Sequence, residues 1–457
     1  MKRIILDRIN EWFDDPRRKP LLLCGARQVG KTYLLRNQFS KQFDDCVFID
    51  MITDDESRNF FSSTSDPKKY LEYIEARFNK KVSPDCPLIM DEVQECPKAI
   101  VSLKYFCDDH RELPVIASGS LVRLAINRMK GKEDFTFPVG KVSILNMYPM
   151  TFEEYLLNSN PVLLKMIRES YSEHRPLESA YHEMALDRLY EYLAIGGMPE
   201  AVDRFLETGS YVDTAKAISD VYGNYLADMS LYNVSNETIL KTRNVYESIF
   251  GQMNKENKNY KVGLIDHGKS NRDYSNAYMW LELARVIYRS RKTDGHVPLP
   301  LIEDEKGLFR YYLADQGMFV HQSRLPRSDF LVKDKRNSLS GIFYENYVAD
   351  ELSAKGIKLF YWVGKGSHEI EFVVQNGSQL VAIDVKKAGG KMRSLESFRA
   401  NNPRYTAVKI SSGNYGYDSD NDLLSIPLYQ TFLLAEQLSK GEPIKPEYNL
   451  DDDLGSV

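Results

Sequence analysis

The residues with the clearest chemical capability lie near the amino terminus, where the chain satisfies the pattern G-x-x-x-x-G-K-[ST] between an apolar run and a helical pattern. Gly25 and Gly30 permit backbone angles and a close approach that a side chain would block, so successive N–H groups can face phosphate oxygens. Lys31 is expected to reach the β- and γ-phosphates, and Thr32 to place its hydroxyl on Mg²⁺. The segment therefore predicts a site for ATP and Mg²⁺. The residues expected to line the nucleotide are Gly25, Ala26, Arg27, Gln28, Val29, Gly30, Lys31, Thr32 and Tyr33.

A second chemical signal is a pair of carboxylates directly after the apolar run Leu88 to Met90. Asp91 is expected to bind Mg²⁺, directly or through water, and Glu92 is placed to orient or deprotonate an attacking water. Two acids after a strand also describe an ordinary polar loop, but beside a phosphate-binding segment they indicate a site competent for hydrolysis. Ser118 ends another apolar run and is a candidate sensor of the γ-phosphate, although a serine in a turn needs no function.

These residues need a sheet to position them. Short apolar runs that end in turn or acidic residues alternate with helical patterns through the first third of the chain. Unbroken apolar strands that alternate with helices imply a parallel sheet covered on both faces. The predicted strands are Leu21 to Cys24, Val47 to Asp50, Leu88 to Asp91, Val115 to Ser118 and Val142 to Leu145. We assign residues 1–147 to this α/β core.

The remaining sequence divides into further segments. Residues 148–232 have a helical period and predict a helical lid. Residues 233–324 mix helical patterns with a terminal hairpin at Leu308 to Leu313, which predicts a winged-helix-like unit. Residues 335–440 predict a second α/β domain, and residues 441–457 an acidic, solvated tail. The elements predicted in the second α/β domain are the helices Gly341 to Lys355 and Arg393 to Ala400 and the strands Lys358 to Val363, Glu369 to Val374, Leu380 to Val385 and Thr406 to Ser411.

The second α/β domain carries another candidate active site. Asp384 and Lys386 are two residues apart on a predicted strand, so their side chains emerge on the same face, and Glu371 lies on the preceding strand. Two carboxylates there can hold a metal ion while the lysine stabilises hydroxide for phosphodiester hydrolysis, and Glu345 on the preceding helix can complete the metal shell. The same charges also describe an ion-pair network without a catalytic role. Both interpretations stay open.

A basic cluster in the middle segment, Arg285, Arg289, Arg291 and Lys292, can contact DNA phosphates with salt-dependent affinity. A solvated helix face explains the same residues equally well. The net charge of -5 and the pI near 5.9 give no whole-chain attraction to nucleic acid or to an anionic membrane.

Seven stretches carry a resemblance that spans nearly the whole chain. They are the Gly25 to Thr32 loop, Asp91-Glu92-Val93-Gln94, Ser118-Gly119-Ser120, Pro149-Met150-Thr151-Phe152-Glu153-Glu154-Tyr155, Gly196-Gly197-Met198-Pro199-Glu200, Ala314-Asp315-Gln316-Gly317-Met318 and Phe343-Tyr344-Glu345-Asn346-Tyr347-Val348. Together they resemble a large prokaryotic family of AAA-type ATPases with a C-terminal domain of unknown function. The resemblance implies ATP binding, an AAA core, a winged-helix middle and a C-terminal domain similar to restriction endonucleases.

The sequence departs from the family pattern at three positions. Met198 stands in the place of an aromatic residue, and the proline usual in the endonuclease motif is absent before Glu371. Lys141 stands where many relatives have an arginine that resembles an arginine finger acting across a subunit boundary. A lysine keeps the charge but loses the planar fork, and Arg123 and Arg128 are alternative candidates. A trans-acting residue of this kind implies a homo-oligomer.

Composition limits the classes of protein to consider. A length of 457 residues predicts two to four domains, and the 43% hydrophobic and 27% charged residues are typical of a globular protein. The five cysteines form no C-x-x-C pair, which predicts free thiols. Asp7 and Arg8 interrupt the N-terminal apolar stretch before it reaches signal-peptide length, and no apolar run is long enough for a transmembrane helix. We therefore expect a cytoplasmic protein.

The sequence supports three functional hypotheses. In the first, nucleotide occupancy between the core and the lid repositions the C-terminal domain, so the protein is an ATP-driven conformational switch. In the second, ATP regulates a metal-dependent nuclease. In the third, the protein is a DNA-binding regulator whose ATPase controls assembly.

Overall fold

The structure, a computed structural model, describes residues 1–129, 137–231, 235–332, 341–364, 368–386, 392–402 and 405–444. In chain order these residues form a five-stranded sheet, a run of helices and an eight-stranded sheet. The largest apolar core begins on one face of the first sheet, continues through the helices and reaches the second sheet. Burial of apolar surface therefore joins the two sheets into one packed body.

Five strands form the first sheet: β1 (Leu21–Gly25), β2 (Val47–Asp50), β3 (Leu88–Asp91), β4 (Val115–Gly119) and β5 (Ser143–Met147). They are parallel and lie in the order β2-β3-β4-β1-β5. Leu21 and Leu23 face one apolar core, whereas Leu22 and Cys24 face the other, because successive strand residues point to opposite faces. The predicted parallel sheet with two covered faces is confirmed. β5 begins later than predicted and extends to Met147, which pairs with Gly25.

Six helices surround this sheet: α1 (Ile5–Asp14), α2 (Lys31–Leu34), α3 (Asp55–Ser63), α4 (Pro67–Phe78), α5 (Pro97–Asp109) and α6 (Val122–Met129). α2 continues as a π-helical turn at Leu35–Phe39 and a 3-10 turn at Ser40–Gln42. Because the strands are parallel, the loops that follow their carboxyl ends collect at one edge of the sheet.

The next segment is helical: α7 (Phe152–Ser159), α8 (Pro161–Ser172), α9 (Ser179–Ile195), α10 (Pro199–Thr208) and α11 (Tyr211–Asp228). Every residue from 148 to 231 is described, and none of them lies in a strand. α7 begins with a capping box, in which the Thr151 hydroxyl accepts from the Glu154 N–H and the Glu154 carboxylate accepts from the Thr151 N–H. α10 begins directly after the Gly196-Gly197 turn, where Gly196 has a φ of +75°.

The second sheet has eight strands: β6 (Ile287–Lys292), β7 (Phe309–Leu313), β8 (Phe360–Val363), β9 (Glu369–Asn376), β10 (Gln379–Val385), β11 (Tyr405–Ser411), β12 (Gly416–Asp418) and β13 (Leu423–Pro427). Their order is β12-β13-β11-β10-β9-β8-β6-β7. The sheet is mixed, because β10/β11, β11/β13 and β6/β8 are parallel pairs and the other neighbours are antiparallel. The accompanying helices are α12 (Asn236–Met253), α13 (Ser275–Leu283), α14 (Gln316–Ser323), α15 (Ile342–Ala354), α16 (Arg393–Asn401) and α17 (Thr431–Lys440).

The described strands of the middle segment, residues 233–324, belong to the C-terminal sheet. The predicted hairpin strand is present as β7, but β6 and β7 extend the C-terminal sheet, with Arg291 opposite Phe360 and Lys292 opposite Tyr361. Periodicity along the chain could not show this pairing, because its hydrogen bonds join segments that are distant in sequence. The sequence patterns also did not predict β12, β13 or α17.

The carboxyl-terminal part of the chain is described only in part. Of the predicted acidic tail, residues 441–444 are described, and Asp451 to Asp453 lie outside the described residues. Across the described ranges, no helix is both long and apolar enough to cross a membrane.

Candidate active site

The phosphate-binding loop predicted from Gly25 to Thr32 joins β1 to α2 at the carboxyl edge of the first sheet. A side-chain carbon at Gly25 would lie 2.3 Å from the backbone oxygen of Met147 on β5, so the packing accepts only glycine there. Gln28 and Gly30 have φ values of +62° and +92°, and Gly30 caps the start of α2. These left-handed residues turn the chain from strand to helix within the loop.

Lys31 is the first residue of α2, and it is only 5% exposed. Its Nζ donates to the backbone oxygens of Gly25 at 3.2 Å and Ala26 at 2.8 Å. Burial lowers the pKa of Lys31 to about 8, although the carboxylates of Glu92 and Asp91 act in the opposite direction. The ammonium is thus a cation held out of water at the loop, where phosphate oxygens would stabilise its charged form.

Asp91, at the end of β3, collects hydrogen bonds from three directions. Thr32 Oγ1 donates to its Oδ2 at 2.6 Å, and both Ser118 Oγ and the Glu92 N–H donate to its Oδ1, the latter at 3.1 Å. Asp91 is buried, and its donors come from α2, the end of β4 and its own strand end. A carboxylate beside a hydroxyl is the hard oxygen donor set that Mg²⁺ prefers, so these residues fit the ion.

Glu92 follows Asp91 in a left-handed conformation, with a φ of +53°. Its Oε2 accepts from Gln94 Nε2 at 2.5 Å and from Ser120 Oγ at 3.4 Å. A side-chain carbon at Gly119 would lie 2.2 Å from Gln94 Oε1, so the glycine makes room for this amide. Gln94 and Ser120 therefore hold the Glu92 carboxylate. Both residues lie in the family-like stretches, but the sequence pattern indicated no role for them.

Two residues outside the loop contact its backbone. Arg3, just before α1, donates to the backbone oxygens of Val29 and Tyr148, both at 2.7 Å, and its Nε donates to Glu154 at 3.1 Å. Tyr225 on α11 donates its hydroxyl to the backbone oxygen of Arg27 at 3.0 Å. Sequence reasoning missed Arg3 and Tyr225, because neither belongs to a motif and their contacts exist only in the folded chain.

Several predicted residues lie away from this centre. Tyr33 is 52% exposed, and Arg128 lies exposed on α6. Arg123 Nη2 donates to Asn146 Oδ1 at 3.2 Å. Lys141 precedes β5, at the sheet edge opposite to the phosphate loop, and its Nζ contacts Asp108 Oδ1 at 2.5 Å, which raises the pKa of Lys141. Lys141 therefore lies away from the phosphate loop of its own chain.

Three of the family-like stretches meet at one junction behind the loop. The Gly197 N–H donates to Asp315 Oδ2 at 2.7 Å, and the Gly197 oxygen accepts from the Met150 N–H at 2.6 Å. A side-chain carbon at Gly196 would lie 2.3 Å from the backbone nitrogen of Gly317. Burial raises the pKa of Asp315 to about 6, although backbone N–H groups stabilise its anion. Close packing of the Gly196-Gly197 turn against the start of α14 therefore requires these glycines.

The second candidate site forms a buried cluster around β9 and β10. Ile383 pairs with Phe372, which sets Asp384 beside Glu371 on the neighbouring strand. Lys386 Nζ lies 2.7 Å from Asp384 Oδ1 and 3.6 Å from Glu371 Oε1. Burial and the Asp384 charge raise the pKa of Glu371 to about 7, while Lys386 opposes them.

Glu345 on α15 completes this cluster, together with residues that the sequence did not indicate. One carboxylate oxygen from each of Glu345, Glu369 and Glu371 lies within 4.8 Å of the others. Lys258 contacts Glu345 and donates to Glu369 at 2.9 Å, and Arg310 binds Glu369 through two hydrogen bonds of 2.7 and 2.8 Å. Burial raises the pKa of Glu345, whereas for Glu369 the two cations outweigh burial and lower the pKa to about 2.

The basic cluster predicted to contact DNA is largely paired with acids. Arg289, Arg291 and Lys292 lie on β6 rather than on a helix. They contact Glu282 at 2.6 Å, Glu303 at 3.5 Å and Asp304 at 3.2 Å, respectively. Arg285 has a φ of +60° and its guanidinium lies over the ring of Tyr148.

Comparisons with known proteins divide the chain into three matched regions. Residues 17–156 match the family model described as an AAA domain. Residues 186–329 and 340–429 match two models described as domains of unknown function, DUF8612 and DUF4143. No curated protein matches.

Two solved structures show weak likenesses. The Walker-type ATPase PABY2304 of Pyrococcus abyssi is 13% identical with a TM-score of 0.41, and the match covers 70% of this chain and 95% of that one. RuvB of Thermotoga maritima is 13% identical with a TM-score of 0.27, and the match covers 66% of this chain and 91% of that one. Residues 17–156 match an AAA domain, and their phosphate-binding loop joins a strand of a parallel sheet to a helix, as in P-loop ATPases.

Proposed function

We propose that the chain is an Mg²⁺-dependent ATPase whose nucleotide site acts as a conformational switch on the C-terminal half. One observation carries the proposal: Thr32 and Ser118 both donate to Asp91, with Glu92 beside it and Lys31 held at the loop. A purely structural turn would not need a buried ammonium, a buried carboxylate and two hydroxyls at one sheet edge.

Each residue has a role that follows from its contacts. Lys31 and the N–H groups of the loop bind phosphate oxygens, and Ser118 senses the γ-phosphate through Asp91. Thr32 and Asp91 hold Mg²⁺, which when bound offsets charge on the phosphates. Glu92 orients and deprotonates the attacking water, since Gln94 and Ser120 hold its carboxylate at the same edge.

A chain of contacts connects the loop to the C-terminal sheet. A carbon built on Gly30 would lie 3.7 Å from the ring of Pro199, which begins α10 directly after the Gly196-Gly197 turn. That turn is bonded to Asp315, at the N-cap of α14. Movement of the loop on nucleotide binding would therefore displace Pro199 and change the contacts between the Gly196-Gly197 turn and Asp315.

The same junction continues to α15. The Asn346 side chain accepts from the Leu313 N–H at 3.0 Å at the end of β7, and the Glu351 carboxylate accepts from the Phe152 N–H at 2.8 Å at the start of α7. α15 thus contacts both the helical segment and the second sheet, and it carries Glu345 of the carboxylate cluster. These contacts support nucleotide-driven movement of the C-terminal half.

The test is to measure ATP binding calorimetrically and ATP hydrolysis with Mg²⁺ on the full chain. Lys31→Ala is expected to lower ATP affinity about 100-fold, because it removes a charged phosphate contact. Lys165→Ala is the matched control, since Lys165 is an exposed lysine on α8 and its loss should leave affinity unchanged. An unaltered chain that neither binds nor hydrolyses ATP would contradict the proposal.

A metal-dependent nuclease is the second candidate function. Glu371 supports it, because this carboxylate lies within 4.8 Å of Glu345 and Glu369 and shares the Lys386 ammonium with Asp384. The carboxylates would hold Mg²⁺ or Mn²⁺, and Lys386 would stabilise hydroxide for attack on a phosphodiester. DNA is incubated with the chain, each metal and ATP, with Asp384→Ala as the control. Cleavage that persists in Asp384→Ala, or no cleavage under any condition, would count against this function.

Assembly and location complete the proposal. Lys141 is exposed at the amino edge of the first sheet, from which it would reach a neighbouring copy's nucleotide site in a homo-oligomer. DNA is a further proposed partner, and its phosphates would have to displace the acids that are paired with Arg289, Arg291 and Lys292 on β6. We expect the protein to act in the cytoplasm. Mass measurements with and without ATP test the assembly, which is contradicted by a monomer whose specific ATPase rate is independent of protein concentration.

A further inference from the structure

An ion pair links the phosphate loop directly to the helical segment. Arg27 Nη1 contacts Oδ1 of Asp228, the last residue of α11. The Arg27 side chain is 39% exposed, whereas the Asp228 side chain is 8% exposed. Tyr225, one turn earlier on α11, also donates to the Arg27 backbone oxygen at 3.0 Å. The end of α11 therefore holds both the side chain and the backbone of one loop residue.

This ion pair lies at the phosphate end of the nucleotide site. Burial raises the pKa of Asp228; Arg27 opposes this shift, and the negative charge of Glu92 adds to it. Arg27 in turn lowers the pKa of Lys31. Lys31 Nζ donates to the backbone oxygens of Gly25 and Ala26, and Arg27 is the next residue of the loop, so the ion pair lies beside this ammonium. The negative charge of a terminal phosphate bound at Lys31 would therefore attract Arg27 and repel Asp228.

We propose that Arg27 binds the γ-phosphate in cis and that ATP and Asp228 compete for it, so that ATP, but not ADP, releases the end of α11. This inference rests on the proposed ATPase function. The guanidinium presents a planar fork that suits phosphate oxygens. A γ-phosphate carries more negative charge than one carboxylate, and it repels Asp228. Competition therefore links the presence of the γ-phosphate to the position of α11.

Affinities for ADP and for a non-hydrolysable ATP analogue, each with Mg²⁺, test the competition in the full chain. Arg27→Gln should weaken analogue binding about tenfold and ADP binding less than about twofold, because only the analogue carries a γ-phosphate. Asp228→Asn should tighten analogue binding severalfold by removing the competing charge. In the Arg27→Gln background, Asp228→Asn should no longer change the ratio of the two affinities.

Hydrogen exchange of the backbone amides near the carboxyl end of α11 gives a readout independent of turnover. The analogue should speed exchange there in the unaltered chain, ADP should not, and the difference should vanish in Arg27→Gln. Arg175→Gln is the matched control, because Arg175 forms an exposed pair with Glu173, and it should behave like the unaltered chain.

Two outcomes would overturn the inference while the ATPase proposal stands. One is an equal loss of analogue and ADP affinity in Arg27→Gln, and the other is equal exchange at α11 with both nucleotides. Arg27→Lys separates charge from shape, and it should retain part of the preference for the analogue. If the unaltered chain binds neither nucleotide, both this inference and the proposed function fail.

Discussion

The nucleotide site and the C-terminal carboxylate cluster both bury acids beside cations, but they balance these charges differently. At the nucleotide site, Asp91 accepts from hydroxyls and a backbone N–H, and Lys31 donates to backbone oxygens. In the cluster, Lys258, Arg310 and Lys386 contact the carboxylates directly.

The difference shows how a ligand site is distinguished from a stabilising network. Neutral donors orient Asp91 without cancelling its charge, so the carboxylate remains available to a cation. Full ion pairs satisfy Glu369, so a metal ion would have to displace Lys258 or Arg310 to reach it. We therefore expect substitutions at the nucleotide site to affect turnover most, and substitutions in the cluster to affect stability most.

The largest expected effect concerns turnover at the nucleotide site. Glu92→Gln should lower the kcat for ATP by about 1,000-fold while ATP still binds, because the amide cannot accept the water proton. Glu95→Gln, at an exposed position on the same turn, is the control and should keep normal kcat. Steady-state kinetics and calorimetric binding measure the two effects. Rapid hydrolysis by Glu92→Gln would remove the catalytic assignment.

The next effect concerns the stability of the cluster. Lys258→Met should lower the free energy of unfolding by about 4 kcal/mol, because it leaves Glu345 buried without its cation. Lys440→Met breaks an exposed pair with Glu436 and should cost less than about 0.5 kcal/mol. Urea unfolding measures both. A loss as small as that of the control would show that the cluster does not stabilise the fold.

The pH dependence of stability sharpens the comparison further. The folded pKa of Glu371, about 7, exceeds its ordinary value of 4.5, so the stabilisation it contributes is complete below pH 4.5 and lost as the pH rises to 7. Glu369 acts oppositely, because its pKa of about 2 gives stability above pH 4.5 that is lost toward pH 2. Glu371→Gln should therefore remove a decline of about 3 kcal/mol between pH 4.5 and 7. Parallel curves for the variant and the unaltered chain would contradict this.

The smallest expected effect is on nucleotide affinity at alkaline pH. The pKa of Lys31 is about 8, and phosphate contacts would raise it, so binding above pH 8 requires uptake of a proton. ATP affinity should fall about tenfold from pH 7 to pH 9. Calorimetry in buffers of different ionisation enthalpy would detect the proton. A flat profile would mean that Lys31 remains charged across this range.

Local sequence determined the core of the nucleotide domain. Each strand of the first sheet is a short apolar run, and Gly30, with a φ of +92°, meets a steric requirement of the turn itself. The pattern of the loop also predicted Gly25, although the backbone of Met147 on β5 is what excludes a side chain there. Local sequence also determined Asp91 and Glu92, whose place at a strand end follows from the run before them. The second α/β segment was also predictable in outline, since β9 and β10 are separated by a short turn at Gly377.

Tertiary structure alone decided the contacts between distant segments. β6 and β7 belong to the C-terminal sheet because backbone hydrogen bonds between β6 and β8 pair the polar groups along the edge of β8. The periodicity of the sequence does not reveal which segment pairs with that edge. Lys258 and Arg310 contact the carboxylate cluster because buried acids need nearby cations to offset their charge, and the tertiary fold places these two cations there. Asp228 likewise contacts Arg27 because α11 packs against the loop. Charge pairing and strand pairing act through space, so no local pattern specifies which partner will be found.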